Sequence, residues 1–162
     1  MSADAKDIEQ VILEKLKQKR ATLAVAESCT GGLLADRITN VPGASAVFLE
    51  GSVVYSNEAK TRTLGVPTDL LSSFGAVSEE VAKAMAEGAL NRSGASFALS
   101  TTGIAGPEGG TAEKPVGTVY LGLARTGGKT EAEKLYFPMD RRSFKSIASQ
   151  YSLNMLRRGI DS

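Results

Sequence analysis

The sequence predicts a single α/β domain, and three observations carry that prediction. Thr22 to Gly32, TLAVAESCTGG, reads as a short apolar strand closed by a polar, glycine-ended turn, after which Leu33, Leu34, Ala35 and Ile38 resume at helical spacing. A second compact apolar strand, Phe97 to Ser100, also runs into a polar, glycine-rich loop, STTGIAGPEGGTAEKP. The 162 residues are 42% hydrophobic and include 17 Gly, which is enough chain to bury a core and enough glycine for strand-to-helix turns. In a parallel α/β sheet such turns lie at the carboxyl ends of strands, where the ligand crevice opens. Chemistry is therefore expected around the first turn.

The elements follow in order. From Asp4 to Arg20, Ile8, Val11, Ile12 and Leu16 fall at helical spacing, with Asp4, Asp7 and Glu9 early and Lys15, Lys17, Lys19 and Arg20 late, a charge order that suits the helix dipole. The strand Thr22 to Ala26 comes next, then a helix that stops before Pro42. AVFLEGSVVYSNEAK predicts a strand broken near Gly51 and a helix capped by Ser56 or Asn57. Pro67 and Gly75 punctuate a turn-rich stretch. Ser78 caps a helix with Glu79 and Glu80 in its first turn and Val81, Met85 and Ala89 on one face; Gly94 ends it. After the strand at Phe97, Val116 to Ala124 and Lys134 to Phe137 predict a hairpin across RTGGKT. Asp140 caps a last helix reaching Arg158, with Phe144, Ile147, Ala148, Tyr151 and Met155 as its apolar stripe.

Composition removes several functional classes. A net charge of +1 gives no electrostatic reason to expect nucleic acid or an anionic membrane as partner. The charged amino terminus and the lack of any apolar run near the roughly 18 residues of a membrane span predict a soluble, cytoplasmic protein. One cysteine excludes an internal disulfide, and zero histidines exclude Ser-His-Asp triads, Cys-His pairs and imidazole-based zinc sites built from one chain. No metal and no cofactor is expected. Any base must be Lys, Tyr, Asp or Glu.

Within those limits the first turn offers Ser28, Cys29 and Thr30 in succession beside Glu27. Ser28 needs a neighbouring base, Cys29 could act as thiolate, and both could equally be packing residues with Thr30 a helix cap. Lys60, in YSNEAK, is the base candidate, because a lysine whose pKa burial lowers can deprotonate a serine. Tyr55 stands five residues earlier, able to relay a proton or pack on a ring. The second loop has glycines at 103, 106, 109 and 110, a spacing that is neither a dinucleotide fingerprint nor a P-loop but can still present N–H groups to an anion. GGKT at Gly127 to Thr130 lacks the upstream glycine of a P-loop and reads as a hairpin turn. Arg141 and Arg142 oppose the dipole at the start of the last helix, which suggests that one of them holds a phosphate or carboxylate.

AESCTGG, GSVVYSNEAK, GAVSE, TTGIAGPEGG and KPVGTVYLGLA, in this order and spacing, closely resemble the CinA carboxy-terminal domain family, which includes stand-alone nicotinamide mononucleotide (NMN) deamidases. The resemblance runs from Ile8 to Arg158 and implies a three-layer α/β/α sandwich, with residues 1–162 as one such domain. Full-length CinA proteins carry an additional amino-terminal domain, for which this chain is too short. The implied reaction is hydrolysis of the NMN carboxamide to nicotinic acid mononucleotide and ammonia, in pyridine nucleotide recycling. Position by position, the resemblance makes Ser28 the nucleophile and Tyr55 and Lys60 its catalytic partners. Thr102 matches the residue before GIAGP, and Arg142, with Arg141 the alternative, matches the arginine opening the last helix. Glu27, Cys29, Thr30, Gly31, Thr102, Gly103, Gly106 and Arg142 are expected to bind substrate. A small nucleotide is then the expected partner, and homo-oligomerisation is left open. The competing class is a non-catalytic nucleotide-binding or regulatory module using the same crevice.

Overall fold

A computed structural model describes residues 6–162. Its elements are α1 Ile8–Gln18, β1 Leu23–Glu27, α2 Leu33–Thr39, a 3-10 turn Ala44–Ala46, β2 Phe48–Val53, α3 Asn57–Leu64, α4 Thr68–Phe74, α5 Glu79–Ser93, β3 Phe97–Gly103, β4 Thr118–Arg125, β5 Glu131–Tyr136 and α6 Arg141–Asp161. One five-stranded sheet has the order β2-β1-β3-β4-β5. β1 pairs in parallel with both β2 and β3, while β4 runs antiparallel to β3 and to β5. The sheet is therefore mixed, and only its β2-β1-β3 half has the parallel arrangement expected around the first turn.

Alternation along the central strands builds the three layers. Leu23 and Val25 of β1 and Leu99 of β3 point to one face, where Ile12 and Leu16 of α1, Leu34 and Ile38 of α2, and Phe144, Leu153 and Leu156 of α6 cover them. Ala24, Ala26 and Ala98 point to the other face, packed by Leu64 of α3 and by Val81, Met85 and Ala89 of α5. Small residues on that second face let α5 lie close to the sheet. A Cβ at Gly122 would stand 2.6 Å from the Ala82 carbonyl oxygen, to which Ser100 Oγ already donates at 2.6 Å.

Most boundaries follow the local chemistry. Ser56, Ser78 and Asp140 each accept a hydrogen bond from the backbone N–H three residues on, capping α3, α5 and α6. Gly94 closes α5 in the left-handed conformation. Four expectations are corrected. Helix α1 ends at Gln18 instead of Arg20, because Arg20 turns the chain at φ 53° and Ala21 N–H returns to the Leu16 carbonyl; Asp4 lies outside the described residues. Strand β2 runs unbroken through Gly51, where a Cβ would press on Phe48, Val25 and Ala35 at 3.1–3.4 Å; the irregularity sits earlier, where the β1 register slips between Leu23 and Ala24. The stretch from Pro67 to Gly75 holds the short helix α4, none of whose residues is buried, so no apolar period marked it. In α6 the buried face includes Leu153, Leu156 and Ile160 and extends past Arg158, whereas Tyr151 is 40% exposed and stacks on Phe137 at 5.0 Å. Among the described residues no helix is long and apolar enough to cross a membrane.

The chain leaves β1 through α2 on one face and leaves β2 through α3 to α5 on the other, so the winding reverses between β1 and β3. A crevice is expected outside the carboxyl ends of strands at such a reversal. Those ends are Glu27–Ser28 and Thr101–Gly103.

Candidate active site

Ser28 is the first residue beyond β1, and its N–H donates to the Thr101 carbonyl at 3.1 Å, which ties the turn to the end of β3. Lys60 stands in the first turn of α3, and because helical side chains tilt towards the helix amino terminus, its stem runs back over the residues that precede the helix. Its Nζ lies 3.1 Å from Ser28 Oγ, 2.9 Å from the Val54 carbonyl oxygen and 3.2 Å from that of Tyr55. Two residues that are 32 positions apart in sequence thus meet, because β2 lies beside β1 and delivers α3 to the crevice.

Lys60 is only 1% exposed, and among the described residues no carboxylate comes within ion-pair distance of it. Burial pushes its pKa below the ordinary lysine value, and the field of a Cys29 thiolate opposes that shift. Nζ donates to Ser28 Oγ and to the Val54 and Tyr55 carbonyls. Carbonyls only accept, so once Nζ gives up a proton they keep its two remaining N–H bonds and the lone pair faces the Ser28 hydroxyl.

A cavity of about 180 Å³ opens over this pair, lined by Ser28, Cys29, Tyr55, Asn57 and Lys60 and, opposite, by Ala76, Val77, Thr102, Gly103 and Ala105. It is smaller than the roughly 300–1,000 Å³ of a typical drug-sized ligand site. Thr102 donates its hydroxyl proton to the Ala76 carbonyl at 2.8 Å, fixing the β3 end to the segment before α5. Cys29 is 5% exposed, and burial drives its thiol up to about 12, helped by the Glu27 charge. A thiol held so high is a poor nucleophile at neutral pH.

Other expected residues fall differently. Tyr55 does reach the cavity, but it meets Lys60 through its backbone carbonyl; its phenol oxygen accepts from Arg141 Nη2 at 2.7 Å. Arg141 also donates to the Gly106 carbonyl at 2.7 Å, joining the end of β2, the second glycine loop and the start of α6 at the cavity rim. Arg142, the expected anion holder with Arg141 the alternative, is exposed, and its side chain makes no hydrogen bond among the described residues. Arg141 is exposed as well, but Tyr55 and Gly106 hold its guanidinium. Gly106 contributes its carbonyl to Arg141. Gly31 is exposed, at φ 62°, and does not line the cavity.

Glu27 and Thr30, both expected to bind substrate, are 0% exposed and face away from the cavity. The Glu27 carboxylate accepts from Thr30 Oγ1 at 2.6 Å, from Leu34 N–H at 2.8 Å and from Ala35 N–H at 3.1 Å. It is the cap of α2, whose own Ncap residue Gly32 has no side chain to serve. Asn57, Ala76, Val77 and Ala105 were not foreseen as lining. The GAVSE and YSNEAK blocks contain three of them, but nothing in their types marked them as cavity walls.

Taken together, the mixed three-layer sheet and the crevice at its winding reversal, where Lys60 Nζ meets Ser28 Oγ, define an α/β protein with a polar, histidine-free crevice. Its sequence matches the CinA C-terminal domain over residues 5–160, and the chain belongs to that family. It is 56% identical over 146 residues to a CinA-like protein of Akkermansia muciniphila, covering 90% of this chain and 35% of that protein. It is also 53% identical over 157 residues to a CinA-like protein of Geotalea uraniireducens, covering 97% and 37% respectively. The chain thus spans little more than a third of the length of these curated relatives. The crystal structure of competence/damage inducible protein CihA from Agrobacterium tumefaciens superposes with a TM-score of 0.91 at 41% identity, covering 100% of both chains. A CinA superfamily protein from Klebsiella pneumoniae gives 0.90 at 30% identity, covering 96% of this chain and 99% of that one.

Proposed function

We propose that this protein hydrolyses the carboxamide of NMN, yielding nicotinic acid mononucleotide and ammonia, with Ser28 as nucleophile and Lys60 as base. The observation that carries the reading is the buried Lys60 amine, 3.1 Å from Ser28 Oγ with its other two bonds held by carbonyls. Lys60 takes the Ser28 proton as Oγ attacks the carboxamide carbon. Among the described residues the N–H groups of Cys29 and Thr30, the two that follow Ser28 in the turn, bond to no other residue, which supports their use as donors to the resulting oxyanion. Lys60 then returns its proton to the departing nitrogen, ammonia leaves, and an ester remains on Ser28. Water, deprotonated by Lys60, cleaves that ester, and Ser28 recovers its proton.

The cavity suits the pyridine carboxamide, while the ribose and phosphate lie outside it, towards Arg141 at the rim. Arg141 replaces Arg142 in that role, on the contacts described above. The test is ammonia release from NMN by the wild type and by Ser28→Ala and Lys60→Ala. Activity should vanish in both variants, and full activity in Ser28→Ala would end the proposal. Binding of NMN by the wild type without turnover would favour a nucleotide-binding regulator instead.

A further inference from the structure

We propose that Glu27, Thr30 and Thr101 act as positioning residues for Ser28, forming a buried hydrogen-bond chain that holds the nucleophile and the two N–H groups that follow it in register. The inference rests on the amide-hydrolysis reading and adds three residues to it. All three are 0% exposed. A carboxylate that accepts from two backbone N–H groups and a hydroxyl sets the direction of every bond beyond it. The single Thr30 hydroxyl proton is committed to Glu27 Oε1 at 2.6 Å, so in the 2.8 Å contact between Thr30 Oγ1 and Thr101 Oγ1 the donor is Thr101. The Thr101 hydroxyl oxygen is then turned, as an acceptor, towards Ser28 N–H at 3.4 Å, and the Thr101 carbonyl takes the same N–H at 3.1 Å.

The chain therefore runs from α2 through the carboxylate and two hydroxyls to the backbone of the nucleophile. It grips the turn at Glu27 and Thr30 on one side and at Ser28 on the other. Gly31 N–H closes the turn onto the Ser28 carbonyl at 3.1 Å, while the N–H groups of Cys29 and Thr30 stay available. The side chains of the three bond to one another and to α2 and do not line the cavity, so their effect belongs in turnover and not in substrate affinity.

Thr30→Val keeps the shape and removes only the hydroxyl; Thr30→Ser keeps the hydroxyl. Thr101→Val breaks the chain at its next link while sparing the bonds from Glu27 to α2, and it serves if Thr30→Val does not fold. The two readouts are kcat and KM for ammonia release from NMN, and the rate at which a fluorophosphonate phosphonylates Ser28 Oγ with loss of fluoride, followed by intact mass. Each valine variant should lose about 10²-fold in kcat and in labelling rate with KM unchanged, on the scale of one misplaced oxyanion donor. Thr30→Ser should restore both rates. Unchanged kcat and labelling in the valine variants would overturn the proposal, as would a raised KM with kcat retained, which is the signature of direct substrate contact. If the wild type releases no ammonia but is labelled, and Thr30→Val slows labelling, the positioning role stands and the NMN assignment falls. A wild type that is not labelled at all overturns both.

Discussion

Replacing Lys60 by Met tests whether a neutral amine drives the chemistry. Met matches the length and apolar stem of lysine but has no basic nitrogen. Loss of a general base costs on the order of 10²–10⁴ in rate, or roughly 3–5 kcal/mol of barrier. The structural cost is smaller. Val54 is buried, so its carbonyl loses a partner at roughly 1–3 kcal/mol, while the carbonyl of exposed Tyr55 can turn to water. Removing a buried amine also relieves desolvation, so Tm should fall by no more than roughly 6–12 °C in a chain of this size. At 25 °C the variant is therefore folded and inactive. The pH dependence gives an independent sign. Folded Lys60 has a lowered pKa, so between that value and the ordinary 10.5 the unfolded chain binds more protons than the folded one, and wild-type stability rises with pH across that window. Below the window both states are protonated, and the contribution to the slope disappears. Lys60→Met should lose this rise, and wild-type kcat/KM should climb through an inflection below 10.5. Ammonia-release kinetics and denaturant titrations from neutral to alkaline pH measure both. Retained activity in Lys60→Met, or in Lys60→Arg, whose guanidinium does not deprotonate, would refute the reasoning.

Three further outcomes follow. Cys29→Ser should keep activity of the same order, because a thiol near 12 is thiolate to only about one part in 10⁵ at neutral pH; an inactive variant would move the nucleophile to sulfur. Arg141→Ala should raise KM for NMN by roughly 10–100-fold, the worth of one charge-assisted contact, whereas Arg142→Ala should leave it unchanged; the opposite pattern would restore Arg142 to the phosphate. Gly88→Ala in α5 should lower Tm, because the added Cβ would lie 2.1 Å from the Leu64 carbonyl of α3 and force the helices apart at roughly 1–3 kcal/mol. Alanine otherwise stabilises a helix interior, so a raised Tm would show that the close approach is absent.

Sequence alone determined the elements whose information is local. A hydroxyl or carboxylate cap and an apolar period marked α5 and α6, and a closing glycine ended α5, because each of those signals acts within a few residues of itself. It also reduced the chemistry to a short list, since a chain without histidine must find its base elsewhere and Lys60 stood among the few candidates. Family resemblance then selected Ser28 over Cys29. What only the tertiary structure decided depends on groups far apart in the chain. Ser28 and Lys60 meet because β1 and β2 pair, and Arg141 reaches Tyr55 across 86 positions because α6 presents its Phe144 face to the sheet. Glu27 looked like a ligand for substrate, yet its carboxylate satisfies the start of α2, a demand visible only once Gly32 is seen to offer no cap. The lowered pKa of Lys60 is likewise a property of its surroundings, set by its burial. A residue type states what a side chain can do, but burial and the bonding of its neighbours decide which of those things it does.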